Sequence, residues 1–185
     1  MRKFILQFIL ISCLFNVHGQ NEIEIHGILN TEANSIIIKQ TINYYNNSDS
    51  SLSVLYFNDW SSSFSSPDSP LSERFVEEYN GALLNPKQKY RGFTSIHSVK
   101  NKQNDSLSYS YLENQCDLFK IKLDNILLPY KTTSVIIEYT IQIQSDRFTK
   151  YGVTNEKDYF LNYWHITPAV YLSLIHISEP TRHRS

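Results

Sequence analysis

What is scarce in this sequence narrows it first. There are two cysteines among 185 residues, Cys13 and Cys116. If the leader holding Cys13 is removed, Cys116 remains alone. A single thiol makes neither an internal disulfide nor a thiolate zinc site. Cys116 then reads as a small, half-buried strand residue rather than a catalytic thiol. Glycine is also scarce, at five residues, whereas tyrosine and phenylalanine number 13 and 10. That mix favours strands over loops or disorder. Neither charge sign dominates: the formal net charge is −1, so nothing global points to nucleic acid or to an anionic membrane. The chain has no low-complexity tract and no repeat of solenoid length. The apolar run from Phe4 to Phe15 is shorter than the ~20 residues a membrane-spanning helix requires.

Both ends read as something other than domain. Arg2 and Lys3 precede the apolar run, and Val17-His18-Gly19 places compact residues where a signal peptidase reads. Residues 1–19 are therefore expected to be a signal peptide, cleaved before Gln20. Leu10-Ile11-Ser12-Cys13 also resembles a lipobox, through which Cys13 would carry a lipid anchor. Continuation of the apolar run through Leu14 and Phe15 favours simple cleavage. Either route exports the chain to a periplasm, an outer surface or the extracellular space. At the other end, Leu172 to Arg182 matches, residue for residue, the translation of a transposase-type sequencing adapter. Residues 172–185 are therefore set aside as non-native, and the domain is expected over 20–171. The other reading of that tail is a genuine apolar strand followed by a basic end.

Between these ends the hydrophobic period is mostly two. Glu22-Ile23-Glu24-Ile25-His26 alternates as a half-buried strand does. A turn at 30–34 leads to a strand from Ser35 to about Tyr45, with Ile36, Ile38, Ile42 and Tyr44 on one face. A polar turn at 46–51 precedes a third strand, Leu52 to Phe57. Two short turns among three strands predict an antiparallel meander. After Asp59-Trp60 and the serine-rich stretch Ser61 to Ser66, the period changes. Ser69 suits a helix cap and Pro70 its first position. Leu71, Phe75, Tyr79 and Leu83 follow at helical spacing, predicting one amphipathic helix over about Pro70 to Leu84, with Gly81 weakening its last turn. Strands resume at Phe93 to Val99, Leu107 to Tyr111 and Phe119 to Leu123. The clearest alternation is Val135, Ile137, Tyr139, Ile141 and Ile143 within Ser134 to Gln144. Many short strands with turn signals between them predict an all-β, antiparallel sandwich-like domain with one inserted helix.

Candidate chemistry is sparse. His26, His97 and His165 lie far apart in sequence, without the carboxylate spacing of a metal site, and read as surface or hydrogen-bonded residues. Glu77 and Glu78 are adjacent on a helix, so they do not face each other. The Ser61 to Ser66 run offers hydroxyls without a neighbouring base and reads as a loop. Trp60, Tyr44, Tyr45, Tyr109, Tyr111, Tyr163 and Trp164 would form a sugar-stacking face if they converged, although strand aromatics more often fill cores and cross-strand pairs. Asn46-Asn47-Ser48 and Asn104-Asp105-Ser106 match glycosylation sequons.

Several segments carry a resemblance. Leu127-Leu128-Pro129-Tyr130-Lys131-Thr132-Thr133-Ser134, with the strand Val135 to Gln144 after it, resembles the N-terminal β-domain of aminopeptidase N-type zinc metallopeptidases, the gluzincins. Arg147-Phe148 and Tyr151-Gly152 resemble that family's aromatic-glycine segment, and Tyr163-Trp164-His165-Ile166-Thr167-Pro168-Ala169-Val170-Tyr171 its aromatic-proline segment. Tyr56-Phe57-Asn58-Asp59-Trp60, followed by Ser69-Pro70-Leu71-Ser72-Glu73-Arg74-Phe75, looks like an exported bacterial branch that places a helix after the third strand. The resemblance covers most of residues 22–171. It implies a structural domain that precedes a zinc domain in the intact protein, with peptide substrates for the parent. The catalytic H-E-x-x-H of the family, whose histidines bind zinc and whose glutamate activates water, does not occur in this sequence. No residue here therefore inherits a catalytic, cofactor-binding or metal-binding role. Zinc is implied for the parent alone. The alternative is a free-standing exported β-sandwich with a binding or adhesive role.

Overall fold

The structure is a computed structural model, and it describes residues 20–169. The expected signal segment 1–19, Cys13, the end of the aromatic-proline segment and the tail 172–185 lie outside the described residues.

Among the described residues there are ten strands, β1 (Glu22–Asn30), β2 (Ser35–Tyr45), β3 (Leu52–Asn58), β4 (Phe93–Asn101), β5 (Tyr109–Leu112), β6 (Gln115–Leu127), β7 (Thr132–Gln142), β8 (Gly152–Val153), β9 (Tyr159–Phe160) and β10 (Thr167–Pro168), and one α-helix, α1 (Pro70–Glu77). Two four-stranded sheets, ordered β1-β2-β7-β4 and β10-β3-β6-β5, form the layers, and β8-β9 is a separate hairpin. Every named strand pair is antiparallel. The fold is thus the all-β, sandwich-like class that the alternation predicts.

The period of two decides which side chains meet between the layers. Ile36, Ile38, Ile42 and Tyr44 of β2 and Val135, Ile137, Tyr139 and Ile141 of β7 point inward from one sheet. Leu55 and Phe57 of β3 and Phe119, Ile121 and Leu123 of β6 meet them from the other. Phe57 and Phe119 stack with ring centroids 5.5 Å apart. Lys120 and Lys122, at the alternate positions of β6, face outward. Each fully buried Leu, Ile or Phe contributes about 1.5–3 kcal/mol, so these two stripes supply most of the driving force.

One polar residue interrupts the β2 stripe. Gln40 is fully buried. Its Nε2 donates to the Ile166 carbonyl at 2.7 Å, its Oε1 accepts from the Tyr139 hydroxyl, and the Ile166 N–H donates to that hydroxyl at 3.3 Å. This chain of bonds fastens the segment before β10 to the core. β10 then pairs with the end of β3, Thr167 opposite Asn58 and Pro168 opposite Phe57.

Two expectations need correction. The first three strands are not a meander: β1 and β2 form a hairpin, but β3 pairs with β6 and β10 in the other sheet. The cause lies at Asn46. Its buried carboxamide donates to the carbonyls of Ser50, Leu127 and Leu128, and its backbone exchanges bonds with Tyr130 and Lys131. The chain after β2 is thereby drawn across to the β6–β7 turn. The helix is also shorter than its apolar stripe. Ser69 caps it by accepting from the Ser72 N–H at 3.2 Å, and Pro70 starts it, as expected. It stops at Glu77, because Tyr79 adopts φ 59°, the Asn80 N–H reaches the Phe75 carbonyl and the Tyr79 N–H the Val76 carbonyl. Those paired bonds terminate a helix in a Schellman motif. Tyr79 is consequently fully exposed, while Leu83, outside the helix, is buried.

Candidate functional site

The aromatics proposed for a sugar-stacking face divide. Tyr44 belongs to the core, Tyr109 and Tyr111 pack on Phe119, and Trp164 packs against the core and lies edge-on to His165. Trp60 and Tyr163 do come together, with ring centroids 6.1 Å apart and planes tilted by 48°. Trp60 begins a 3-10 turn, Trp60–Phe64, directly after β3. Tyr163 sits on the segment that Gln40 and Tyr139 hold in place.

These two rings form one wall of a cleft of about 250 Å³. Phe64 and Tyr151 extend the aromatic lining, and Leu71 of α1 contributes apolar surface. Phe64 is backed by the buried ring of Phe148 at 6.2 Å. Four carboxamides also line the cleft: Asn58, Gln115, Gln144 and Asn162. None of their side chains hydrogen-bonds to another described residue, although Gln144 is only 9% exposed. Arg74 and Asp117 line it as well, one charge of each sign. Asp117 accepts from the Ser63 hydroxyl at 2.8 Å.

Tyr151 and Gln144 are placed by Gly152. That glycine has φ +137°, and an added Cβ would stand 2.4 Å from the Gln144 carbonyl oxygen. Only glycine allows the backbone of 144–146 to lie so close to β8. The resembling segment Arg147-Phe148 is used in the same region, with the Arg147 guanidinium 3.5 Å from the Tyr90 ring centroid.

Beneath the 3-10 turn lies a cluster that the sequence reading missed. Asp59 is buried and accepts from Thr94 Oγ1 at 2.6 Å, Tyr111 Oη at 2.7 Å and Ser62 Oγ at 2.8 Å. Burial pushes its carboxyl above the usual carboxylate range, against the lowering pull of those hydroxyls. Burial, and next the same carboxylate, push the Tyr111 phenol up. Ser61 donates to the Trp164 carbonyl and Ser65 to that of Ser62. The serine run is therefore a knot of structural hydroxyls joining both sheets. Its acceptor is an aspartate immediately before the turn, the one sequence signal that would have suggested it. Cys116, half-buried on β6, lies 3.3 Å from the Ser62 carbonyl, and burial pushes its thiol up.

The remaining candidates stay apart from the cleft. His26 is exposed and 3.0 Å from Glu24 Oε1. His97 occupies a bulge in β4, where Ile96 and Ser98 pair with consecutive β7 residues, and its ring meets Thr140 Oγ1 at 2.8 Å. His165 is half-buried, which holds it below the ordinary imidazole value, and its Nδ1 has no hydrogen-bond partner. Among the described residues no group of three His, Cys, Asp or Glu side chains is placed to hold a metal ion. Glu77 and Glu78 are both exposed. Of the two sequons, Asn46 is buried and fully engaged, whereas Asn104 is exposed at a turn.

With this geometry in hand, comparison with known proteins returns no matching family and no matching curated protein.

Proposed function

We propose that this chain is the non-catalytic N-terminal β-domain of an exported zinc aminopeptidase-like protein, whose intact form hydrolyses peptide bonds in a following zinc domain. The observation that carries the reading is the resemblance of residues 127–171. It is supported by the use made of those segments: the Leu-Pro turn is pinned by Asn46, Gly152 lies under residues 144–146, and the aromatic-proline segment is bound to the core through Ile166. Ile126, Leu128 and Tyr130 stand 65%, 55% and 57% exposed around the β6–β7 turn. Exposed large apolar side chains grouped around one turn are what a neighbouring domain would cover. In this reading the chain packs against the zinc domain and helps wall its substrate cleft, and it binds no zinc itself.

The decisive test is long-read sequencing of the source DNA across codon 171. A frame that continues through several hundred codons and contains H-E-x-x-H with a downstream glutamate supports the reading. Genomic DNA that encodes Leu172 to Ser185 and then stops refutes it, as does zinc-dependent peptidase activity from this chain alone.

A further inference from the structure

We infer that the cleft between Trp60 and Tyr163 is a binding site for a neutral sugar ring. The inference is independent of the aminopeptidase reading. The β6–β7 turn, where the exposed apolar patch lies, is at one end of the sandwich. The cleft is at the other, where β3 and β7 finish.

Three observations on the same cleft carry it. The first is the pair of tilted rings: Tyr163 is 57% exposed, and Trp60 stands beside it at the mouth. An aromatic face is electron-rich, and the axial C–H face of a pyranose is apolar with slightly positive hydrogens, so the two stack. The second is the set of carboxamides. Asn58, Gln115, Gln144 and Asn162 each offer an N–H₂ donor and a carbonyl acceptor. That dual character matches sugar hydroxyls, which donate and accept at once. Gln144 is the telling member: the residue as a whole is only 9% exposed, it lines the cleft, and its amide has no partner among the described residues. The third is charge. Arg74 and Asp117 both line the cleft, one charge of each sign, so the lining itself does not select an anionic or a cationic ligand. The volume of about 250 Å³ falls just below the roughly 300–1,000 Å³ of sites for drug-sized ligands. It has room for one ring of a glycan, whose remaining rings would lie outside it.

The test uses the full chain and its own reporter. Of its two tryptophans, Trp60 lines the cleft and Trp164 packs on the core, so ligand entry alters Trp60 emission. Cellohexaose, chitohexaose and mannohexaose are titrated in turn. The expected result is a saturable change with at least one of them in the millimolar range or tighter. Tyr163→Ala should weaken it about tenfold, the loss of one ring contact, and Asn162→Ala should weaken it less. Both residues are exposed, and an unchanged circular dichroism spectrum verifies that the variants fold. No saturable change with any of the three glycans overturns the inference. So does a change that survives Tyr163→Ala, or a change produced by an aromatic dipeptide and by none of the sugars.

Discussion

Replacing Gly152 with alanine tests the geometry that shapes the cleft. At φ +137° the new side chain enters a region that L residues rarely occupy, and its Cβ would lie 2.4 Å from the Gln144 carbonyl oxygen, 2.8 Å from the Ser145 carbonyl carbon and 2.9 Å from the Asp146 nitrogen. All three atoms are backbone. They cannot swing aside, because Val153 N–H donates to the Gln144 carbonyl, Asp146 N–H to the Val153 carbonyl and Ser145 N–H to the Tyr90 carbonyl. Backbone strain of about 1–3 kcal/mol adds to an overpacking cost of about 1–3 kcal/mol. The smaller entropy of the unfolded alanine chain offsets about 0.4–1 kcal/mol. The expected net loss is therefore about 1–5.6 kcal/mol, read as a lower midpoint in urea at unchanged slope. Gly81→Ala is the control. Gly81 is exposed, and its nearest non-neighbouring atom, Leu84 Cδ1, would be 3.6 Å from the new Cβ. That change should stay within about 0.5 kcal/mol of the parent. A loss below about 1 kcal/mol for Gly152→Ala would show that residues 144–146 do not press on Gly152, and the account of how Gln144 and Tyr151 are placed would fail.

Two further perturbations address the buried polar groups. Asp59 has a raised carboxyl pKa, so the folded chain retains a proton that the unfolded chain has released. Its contribution to stability is greatest below the unfolded value of about 3.9 and declines as pH climbs through the folded value. Stability of the parent relative to Asp59→Asn should therefore fall as pH rises above about 4, and a rising or level difference in urea titrations would contradict the assignment. Tyr139→Phe leaves the Ile166 N–H and one lone-pair site on Gln40 without their partner. It should cost about 2–4 kcal/mol and speed amide exchange at Ile166, whereas a loss under about 1 kcal/mol would mean that water replaces the hydroxyl.

The layers were legible because burial on one face writes itself into the sequence every second residue. Ser35–Tyr45 and Ser134–Gln144 show this, and both map onto strands of the β1-β2-β7-β4 sheet within two residues. The helix was legible at its start, where Ser69 and Pro70 have the right chemistry, and not at its end. There the stop depends on a left-handed Tyr79, a position that glycine usually marks. Side-chain spacing continued past the point where the backbone turned. The cleft was only half legible. Trp60 and Tyr163 were candidates among seven aromatics, but nothing local distinguishes them from Tyr44, which faces the core. The carboxamides were invisible as a group, since Asn58, Gln115, Gln144 and Asn162 come from four separate parts of the chain. An amide left open to a cleft is also a property of its surroundings and not of its residue type.

The misread connections share a physical cause. Gln40, Asn46 and Asp59 are each buried and polar, and each binds atoms distant in sequence: Tyr139 and Ile166, Leu127 and Leu128, Thr94 and Tyr111. At each, the chain is tied to another strand or layer. Apolar contacts are non-directional and tolerate a slipped partner, whereas a buried polar atom that misses its partner costs about 1–3 kcal/mol. A stripe of isoleucines thus says that a strand has an inside, while the polar residue set into or beside the stripe selects which strand it meets there. In β2 the stripe Ile36, Ile38, Gln40, Ile42, Tyr44 would pack in several registers. With Gln40 required to reach both Tyr139 and Ile166, pairing of Gln40 opposite Ile137 and Ile38 opposite Tyr139 is the register that serves all three. The same bonds deliver Tyr163 to Trp60, so the register of the core and the position of the cleft's exposed ring are set by one side chain.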